Sequence, residues 1–148
     1  MRRHNCGEHP AIRDYGGEPF LFNILHAAKM NENFRTVLWT GHHLQLTLMS
    51  VPVCGEISVE MHHDVDQFLC VASGRATVYV GSCRGKMQEV GCVTENDAIL
   101  IPAGAWHNIV NTGKCPLKLY SLYAPPVHPF GTAQRTNEET GTAKYELS

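Results

Sequence analysis

Apolar residues along the chain fall into short segments separated by glycine, proline, asparagine and aspartate. Residues 44–49 alternate between apolar and polar side chains, which is typical of a half-buried β-strand with its leucine side in the core. Seven further segments are also rich in β-branched and aromatic residues and are bounded by turn residues. They are 34–39, 68–71, 75–80, 86–90, 98–101, 106–111 and 117–123. Residues 26–30 fit either a helical turn or a continued strand. Many short strands without a long helical pattern predict an all-β sandwich or barrel.

Length and composition narrow the class of protein. The 148 residues suffice for a single domain, 1–148, and we expect its core at about residues 18–126, between a polar arm and a polar tail. The net charge of −2 without a basic stripe argues against a nucleic-acid partner. No apolar run approaches the roughly 20 residues of a membrane span, and no apolar region follows the two initial arginines. We therefore expect a cytoplasmic protein with no membrane partner.

The six cysteines do not form a metal-binding or redox motif. They are spread along the chain without a Cys-x-x-Cys pair, and without a secretory signal a disulfide framework is not expected. We expect reduced thiols, several of them acting as small core residues. These cysteines are Cys6, Cys54, Cys70, Cys83, Cys92 and Cys115.

Residues 60–67 place polar side chains between two apolar segments. In an extended strand, residues two apart point to the same side, so Glu60 and His62 would share one face and Met61 and His63 the other. A carboxylate, an imidazole and an amide among buried strands are costly unless something pairs with them. A divalent cation is the simplest such partner, with the later histidine His107 as a further ligand.

Residues 47–111 resemble the cupin superfamily, which implies a double-stranded β-helix, the small jelly-roll barrel. The second motif of that superfamily is carried by Pro102, Gly104, His107 and Asn111. Its usual leading glycine is replaced by Asn96, a residue type that still tolerates left-handed backbone geometry. The first motif is degenerate, although Gly74 fits its end.

The degenerate first motif leaves two registers open. One uses Glu60 and His62, the other Met61 and His63, and both continue to Gln67. A thioether suits soft metals, whereas a carboxylate suits Fe, Mn, Ni or Zn as divalent ions. We therefore favour one divalent ion held by Glu60, His62, Gln67 and His107. This register also resembles small bacterial cupins with Gln at the motif position, some of which act on breakdown products of uronic acids.

Other polar residues have simpler interpretations. We expect His63 and Asp64 to face solvent, and the pair His42–His43 to lie on a surface turn. Arg35 and Arg75 are possible anchors for an anionic substrate, but a solvated charge is the simpler interpretation of each. His128 shows no ligand spacing.

Three functions remain open. The first is metal-assisted isomerisation, epimerisation or elimination on a small sugar-like or organic-acid-like substrate, with Glu60 or a metal-bound hydroxide moving the proton. The second is an Fe(II)-dependent dioxygenase, and the third is a non-catalytic module that binds a small molecule. The resemblance also implies a homodimer, for which the apolar segment 20–25 is a candidate edge.

Overall fold

The computed structural model describes residues 8–137, and within them the chain forms one short helix and nine β-strands. The helix is α1 (Ile24–Met30). The strands are β1 (Arg35–Thr40), β2 (Gln45–Val51), β3 (Asp66–Ser73), β4 (Ala76–Gly81), β5 (Met87–Val93), β6 (Ala98–Ile101), β7 (Trp106–Asn111), β8 (Leu117–Ala124) and β9 (Ala133–Gln134).

These strands form two antiparallel sheets. The larger has the order β6-β3-β8-β2-β1-β9, and the smaller has the order β5-β4-β7. Most neighbours in the larger sheet are not consecutive in sequence, as β3 and β8 are not, and the chain crosses between the sheets repeatedly. This is the arrangement of a jelly roll, and the predicted all-β barrel class is confirmed.

The space between the sheets has an apolar end. Leu69, Leu117 and Leu119 of the larger sheet and Ile109 of the smaller one are fully buried there. Burial of such side chains supplies most of the stabilisation of a β-barrel, and truncating one of them typically costs roughly 2–5 kcal/mol.

The other end of the interior is polar. Directly paired residues on neighbouring strands lie on the same face of a sheet. Gln67 of β3 pairs with Tyr123 of β8, which pairs with Gln45 of β2, and all three are buried. Two residues further along these strands, on the same face, Ser121 pairs with Thr47. The interior therefore changes from apolar to polar along the barrel, and the polar end can hold a functional site.

Strand β2 differs from the sequence prediction in being buried on both faces. Its leucines, Leu46 and Leu48, pack beneath helix α1 in an outer apolar layer, while Gln45, Thr47 and Met49 face the interior. The alternation was interpreted as a core face and a solvent face because helix coverage cannot be read from one strand.

The outer layer corrects the expected edge at residues 20–25. Phe20 and Phe22 stack on each other, and both pack with Leu25 against the outer face of the larger sheet. Leu21 is 73% exposed, so the segment alternates between packed and solvated positions without pairing as a strand. Helix α1 follows, and its N-cap residue is Asn23, whose side chain accepts a hydrogen bond from the His26 backbone N–H. The homodimer stays a prediction.

The ordered fold extends beyond both predicted limits of the core. Before residue 18, the Tyr15 N–H donates to the Leu38 carbonyl, which fixes the arm beside β1. After residue 126, strand β9 pairs with β1 at Arg35 and Thr36. These segments are largely polar in sequence, yet backbone hydrogen bonds hold them beside β1.

The described cysteines are free, as expected, but they are mostly outside the core. Cys70 is buried, whereas Cys54, Cys83, Cys92 and Cys115 are exposed, so the expectation of several core thiols was wrong. Cys6 lies outside the described residues. Within the described part of the chain, no helix has the length and apolar character needed to cross a membrane.

Candidate metal site

Glu60 and His107 are joined by the backbone. The Glu60 N–H donates to the His107 carbonyl at 3.0 Å, and the His107 N–H donates back to the Glu60 carbonyl at 2.9 Å. His107 lies in β7, and Glu60 forms only an isolated bridge with it. The two side chains of such a directly opposed pair lie on the same side, so both enter the barrel interior.

His62 is placed by the bend of the second motif. The Gly104 N–H donates to the His62 carbonyl at 2.7 Å, and the Ala103 N–H donates to Asp66 Oδ1 at 2.9 Å. Gly104 adopts a φ of 85°, which favours glycine. Residues 60–65 are thus a loop fastened to this bend, and β3 begins only at Asp66. The expected strand through Glu60 and His62 was wrong, although the side chains of Glu60 and His62 still converge.

Three potential ligands converge in the interior, and we call Glu60, His62 and His107 the triad. Glu60 Oε1 lies 3.6 Å from His107 Nε2 and 3.8 Å from His62 Nε2, and one ligand atom from each residue lies within 4.8 Å of the others. These distances are too long for good hydrogen bonds. Ligand atoms that share a first-row ion with bonds of about 2.0–2.2 Å lie roughly 3.0–3.6 Å apart, so small side-chain movements would complete the geometry.

Several polar atoms of the site are buried without a hydrogen-bonding partner among the described residues. They include His107 Nε2, both ring nitrogens of His62, and Gln67 Oε1. His107 Nδ1 lies 3.1 Å from the Ala105 carbonyl oxygen. Because a carbonyl can only accept, Nδ1 carries the proton and Nε2 presents its lone pair to the interior. Unpaired buried nitrogens and oxygens of this kind fit a divalent cation as their partner.

Gln67 presents its carbonyl oxygen for a related reason. Its Nε2 donates to Ser121 Oγ at 2.9 Å, inside the larger sheet. That bond fixes the orientation of the amide and leaves Oε1 as the unsatisfied end. A neutral amide oxygen is a weak ligand, so Glu60 supplies the one formal negative charge among the four candidate ligands.

The electrostatics of Glu60 keep its carboxylate ionised. Burial alone would raise its pKa, but the nearby rings of His107 and His62 and the charge of Arg35 outweigh burial and lower the pKa below its usual value. An ionised carboxylate buried beside two imidazoles is the form that binds a divalent cation.

The alternative register does not lead into the interior. His63 and Asp64 are exposed, as expected, and Met61 is only partly buried. His42 and His43 are exposed in the turn after β1. The histidines that join Glu60 within 4.8 Å are His62 and His107, so the geometry favours the register of Glu60 and His62 over that of Met61 and His63.

Sequence reasoning gave the wrong environment for Arg35 and no role for His128, and both lie near the triad. Arg35 is 2% exposed, contrary to the expected solvated charge, and its Nη1 donates to Gln134 Oε1 at 2.9 Å. The ring of His128 meets Tyr123 edge-on at 4.9 Å, and Tyr123 meets His62 in the same way at 5.8 Å. Arg35 begins its strand directly opposite Met49, an interior position of β2, and no local sequence pattern reveals this register.

His128 is brought to the interior by Gln45. The side-chain oxygen of Gln45 accepts hydrogen bonds from the backbone N–H groups of Val127 and His128, and its Nε2 donates to the His128 carbonyl at 2.8 Å. A buried amide thus holds a segment that carries no regular secondary structure. No spacing rule connects residues 45 and 128, so the sequence gives no signal for this contact.

Comparisons with known proteins agree with this fold. The family model described as a cupin domain matches residues 47–123. An uncharacterized protein of Bacillus subtilis, YrkC, is 48% identical over 133 residues, which is 90% of this chain and 72% of that protein. An uncharacterized mimivirus protein, L612, from Acanthamoeba polyphaga mimivirus, is 33% identical over 82% of this chain and 75% of its own length.

A solved structure extends the likeness to three dimensions. The crystal structure of BH2720 from Bacillus halodurans superposes with a TM-score of 0.82 at 48% identity, covering 87% of this chain and 98% of that one. The KdgF structure from Halomonas sp. superposes with a TM-score of 0.52 at 17% identity, covering 62% of this chain and 79% of that one. At this low identity the second comparison supports the fold alone.

Proposed function

The chain belongs to the cupin family, and we propose that it is an enzyme with one divalent metal ion that transfers protons on a small oxygen-rich substrate. The proposed reactions are isomerisation, epimerisation or elimination of a sugar-like or organic-acid-like molecule. These reactions share a first step, removal of a proton from carbon beside a carbonyl group.

The observation that carries the proposal is the triad. Three buried ligand atoms lie within 4.8 Å of one another, and the Nε2 atoms of both histidines have no hydrogen-bonding partner among the described residues. A buried polar group without a partner typically costs roughly 1–3 kcal/mol. A cation shared by these atoms would remove that cost, so the residues fit a metal ion.

Each residue of the site has a separate role in the proposed reaction. A bound divalent ion supplies Lewis acidity that polarises a substrate carbonyl or hydroxyl oxygen. Both close contacts of Glu60 with the histidines are made by Oε1, so Oε2 is the oxygen that we assign to proton transfer. The His107 Nδ1–H bond to Ala105 and the Gln67 bond to Ser121 hold the other ligands in place. Burial of the triad keeps bulk water away.

Deuterium exchange tests the proposal. The protein is loaded with Mn(II), which prefers oxygen and nitrogen ligands and avoids the exposed thiols. It is then incubated in D₂O with a panel of small hydroxy acids, keto acids and sugars. We expect at least one substrate to gain deuterium at carbon, measured by mass spectrometry after the protein and the metal are removed. Glu60→Gln and His107→Ala should abolish the exchange, whereas Met61→Ala should retain it.

Two other results would contradict the proposal, and a third would change the assigned ligands. Substrate-dependent oxygen uptake by the iron-loaded protein, without deuterium exchange, would assign a dioxygenase. Binding of a panel compound that survives removal of the metal, without turnover, would assign a non-catalytic binding module. Loss of Mn(II) binding in Met61→Ala but not in His107→Ala would show that the other register holds the metal.

A further inference from the structure

Arg35 is a buried cation whose hydrogen-bonding capacity is only partly used. Its side chain is 2% exposed, and Nη1 donates to Gln134 Oε1. Nε is buried and has no hydrogen-bonding partner within residues 8–137. A guanidinium group is always charged and presents a planar set of donors that matches a carboxylate. An unpaired Nε–H in the interior is therefore a donor that lacks its acceptor.

His128 has the same deficiency nearby. Its Nε2 is buried and, among the described residues, has no hydrogen-bonding partner. Arg35 lies close enough to influence the ionisation of His128, Tyr123 and Glu60. Tyr123 packs edge-on against both His128 and His62, so the ring of His128 is separated from the triad by a single side chain. The interior thus combines ligand atoms for a cation with donors for an anion.

The charges of the site favour an anionic ligand. Without a metal ion, the negative charge of Glu60 and the positive charge of Arg35 balance each other. Burial and the neighbouring Arg35 lower the pKa of His128 to about 3, although Glu60 acts in the opposite direction, so that ring is neutral at pH 7. A divalent ion therefore leaves an excess of about two positive charges in a buried space, and such charges are stable only when paired.

We propose that Arg35 and His128 form a subsite for a carboxylate group of the substrate. The inference rests on the proposed metal site, and it narrows the substrate class from oxygen-rich molecules to small carboxylic acids. One carboxylate oxygen lies toward the triad, and the other accepts from Arg35 Nε–H. His128 Nε2–H donates to the same group. Gln45, which fixes residues 127 and 128, and Gln134, which binds Nη1, are positioning residues.

Malonate is a suitable probe because it is a small dianion. Mn(II) binding is measured first by calorimetry, and malonate is then titrated into the Mn(II)-loaded protein. We expect malonate to bind wild type, and Arg35→Gln to weaken it roughly 10- to 100-fold, the usual effect of losing a hydrogen bond to a charged group. Because Arg35→Gln removes a positive charge near Glu60, Mn(II) should bind this variant as tightly as wild type or more tightly. A merely structural role of Arg35 would weaken both ligands.

Matched variants separate the parts of the subsite. Arg75 is exposed, and Arg75→Gln should leave malonate affinity unchanged. Arg35→Lys keeps the charge but loses the planar donor set, so its affinity should fall between those of wild type and Arg35→Gln. His128→Phe keeps the ring and removes Nε2, and it should weaken malonate severalfold.

The wild-type protein alone also tests the inference, should Arg35→Gln not fold. Malonamide has the shape of malonate without its charge, and it should bind at least 10-fold more weakly. Equal affinity for the two compounds, or tighter binding of inorganic phosphate than of malonate, would overturn the carboxylate subsite. So would equal malonate affinity in wild type and Arg35→Gln. Failure of wild type to bind Mn(II) in the first step would instead overturn the proposed function.

Discussion

His128 shows how burial of one side chain sets a pH dependence. Its pKa is lowered from 6.5 to about 3 by burial and by the charge of Arg35, against a smaller opposing effect of Glu60. Between these two pH values the unfolded chain binds a proton that the folded chain does not. The free energy of unfolding therefore decreases as the pH falls below 6.5, by up to about 1.4 kcal/mol per pH unit from this residue.

We predict that His128→Gln removes this part of the acid sensitivity. The measurement is urea unfolding of the metal-free protein at pH 6.5, 5.5 and 4.5 in the presence of a chelator, compared with wild type. His43→Gln, at an exposed histidine, is the matched control and should keep the wild-type slope. Below pH 4.5 the free energy of unfolding decreases further as the pH falls, because the pKa of Glu60 is also lowered in the folded state. An unchanged slope in His128→Gln would show that the ring is solvated.

At the scale of elements, the turn between β5 and β6 carries the departure from the second cupin motif. Asn96 has a φ of 71°, in the left-handed region, and its N–H donates to the Val71 carbonyl at 2.8 Å. The motif glycine and this asparagine therefore meet the same backbone requirement, as the sequence predicted.

We predict that Asn96→Ala lowers the free energy of unfolding by about 1 kcal/mol, because a Cβ without a polar group is disfavoured in this conformation. Asn96→Gly should lie within about 0.5 kcal/mol of wild type, since glycine adopts this φ freely. Glu95→Ala is the control at the neighbouring exposed position, where the 4.0 Å pair with Lys29 contributes little. Urea unfolding measures all three. Equal stability of the alanine and glycine variants would contradict the backbone argument.

Strand elements were predictable where a local pattern decides them. Residues 117–123 alternate and β8 spans Leu117–Ala124, because each inward side chain needs an apolar or paired environment. Residues 60–65 look equally extended in sequence, yet Ser58 has a φ of 89° and the chain enters a loop. The sequence therefore predicted the convergence of Glu60 and His62 correctly, but for a partly incorrect reason. The bend at Gly104 fixes His62, and no uninterrupted strand joins His62 to Glu60.

The remaining parts of the site depend on contacts between distant segments. Arg35 is buried because β1 pairs with both β2 and β9, and β9 lies beyond the predicted end of the core. His128 enters the interior because Gln45 holds its backbone. Neither residue has a local sequence signature, since a surface arginine and a buried one are flanked by similar residues.

For the whole molecule, the proposed metal ion links the two sheets. His107 belongs to the smaller sheet, Gln67 to the larger one, and Glu60 and His62 to the loop that precedes β3. A ligand that binds only the folded state stabilises it in proportion to the logarithm of its concentration relative to Kd.

We predict that Mn(II) at 100 times its Kd raises the free energy of unfolding by about 2.7 kcal/mol, which corresponds to an increase in Tm of roughly 5–10 °C. Calorimetric melting with and without Mn(II) measures the effect. Met61→Ala should show the same increase as wild type, and His107→Ala should show none relative to its own metal-free Tm. An equal increase in His107→Ala would place the ion elsewhere.

The reciprocal backbone hydrogen bonds between Glu60 and His107 affect how tightly the proposed site binds an ion. Their spacing is set by main-chain atoms, so two of the ligands are already arranged as a chelate before any ion arrives. Little side-chain freedom remains to be lost on capture, which favours high affinity even with a neutral amide in the set. The same rigidity limits how far the pair can adjust, and the bond to Ser121 holds Gln67. Adjustment to ions of different radius therefore falls to the ring of His62, whose nitrogens have no hydrogen-bonding partner among the described residues.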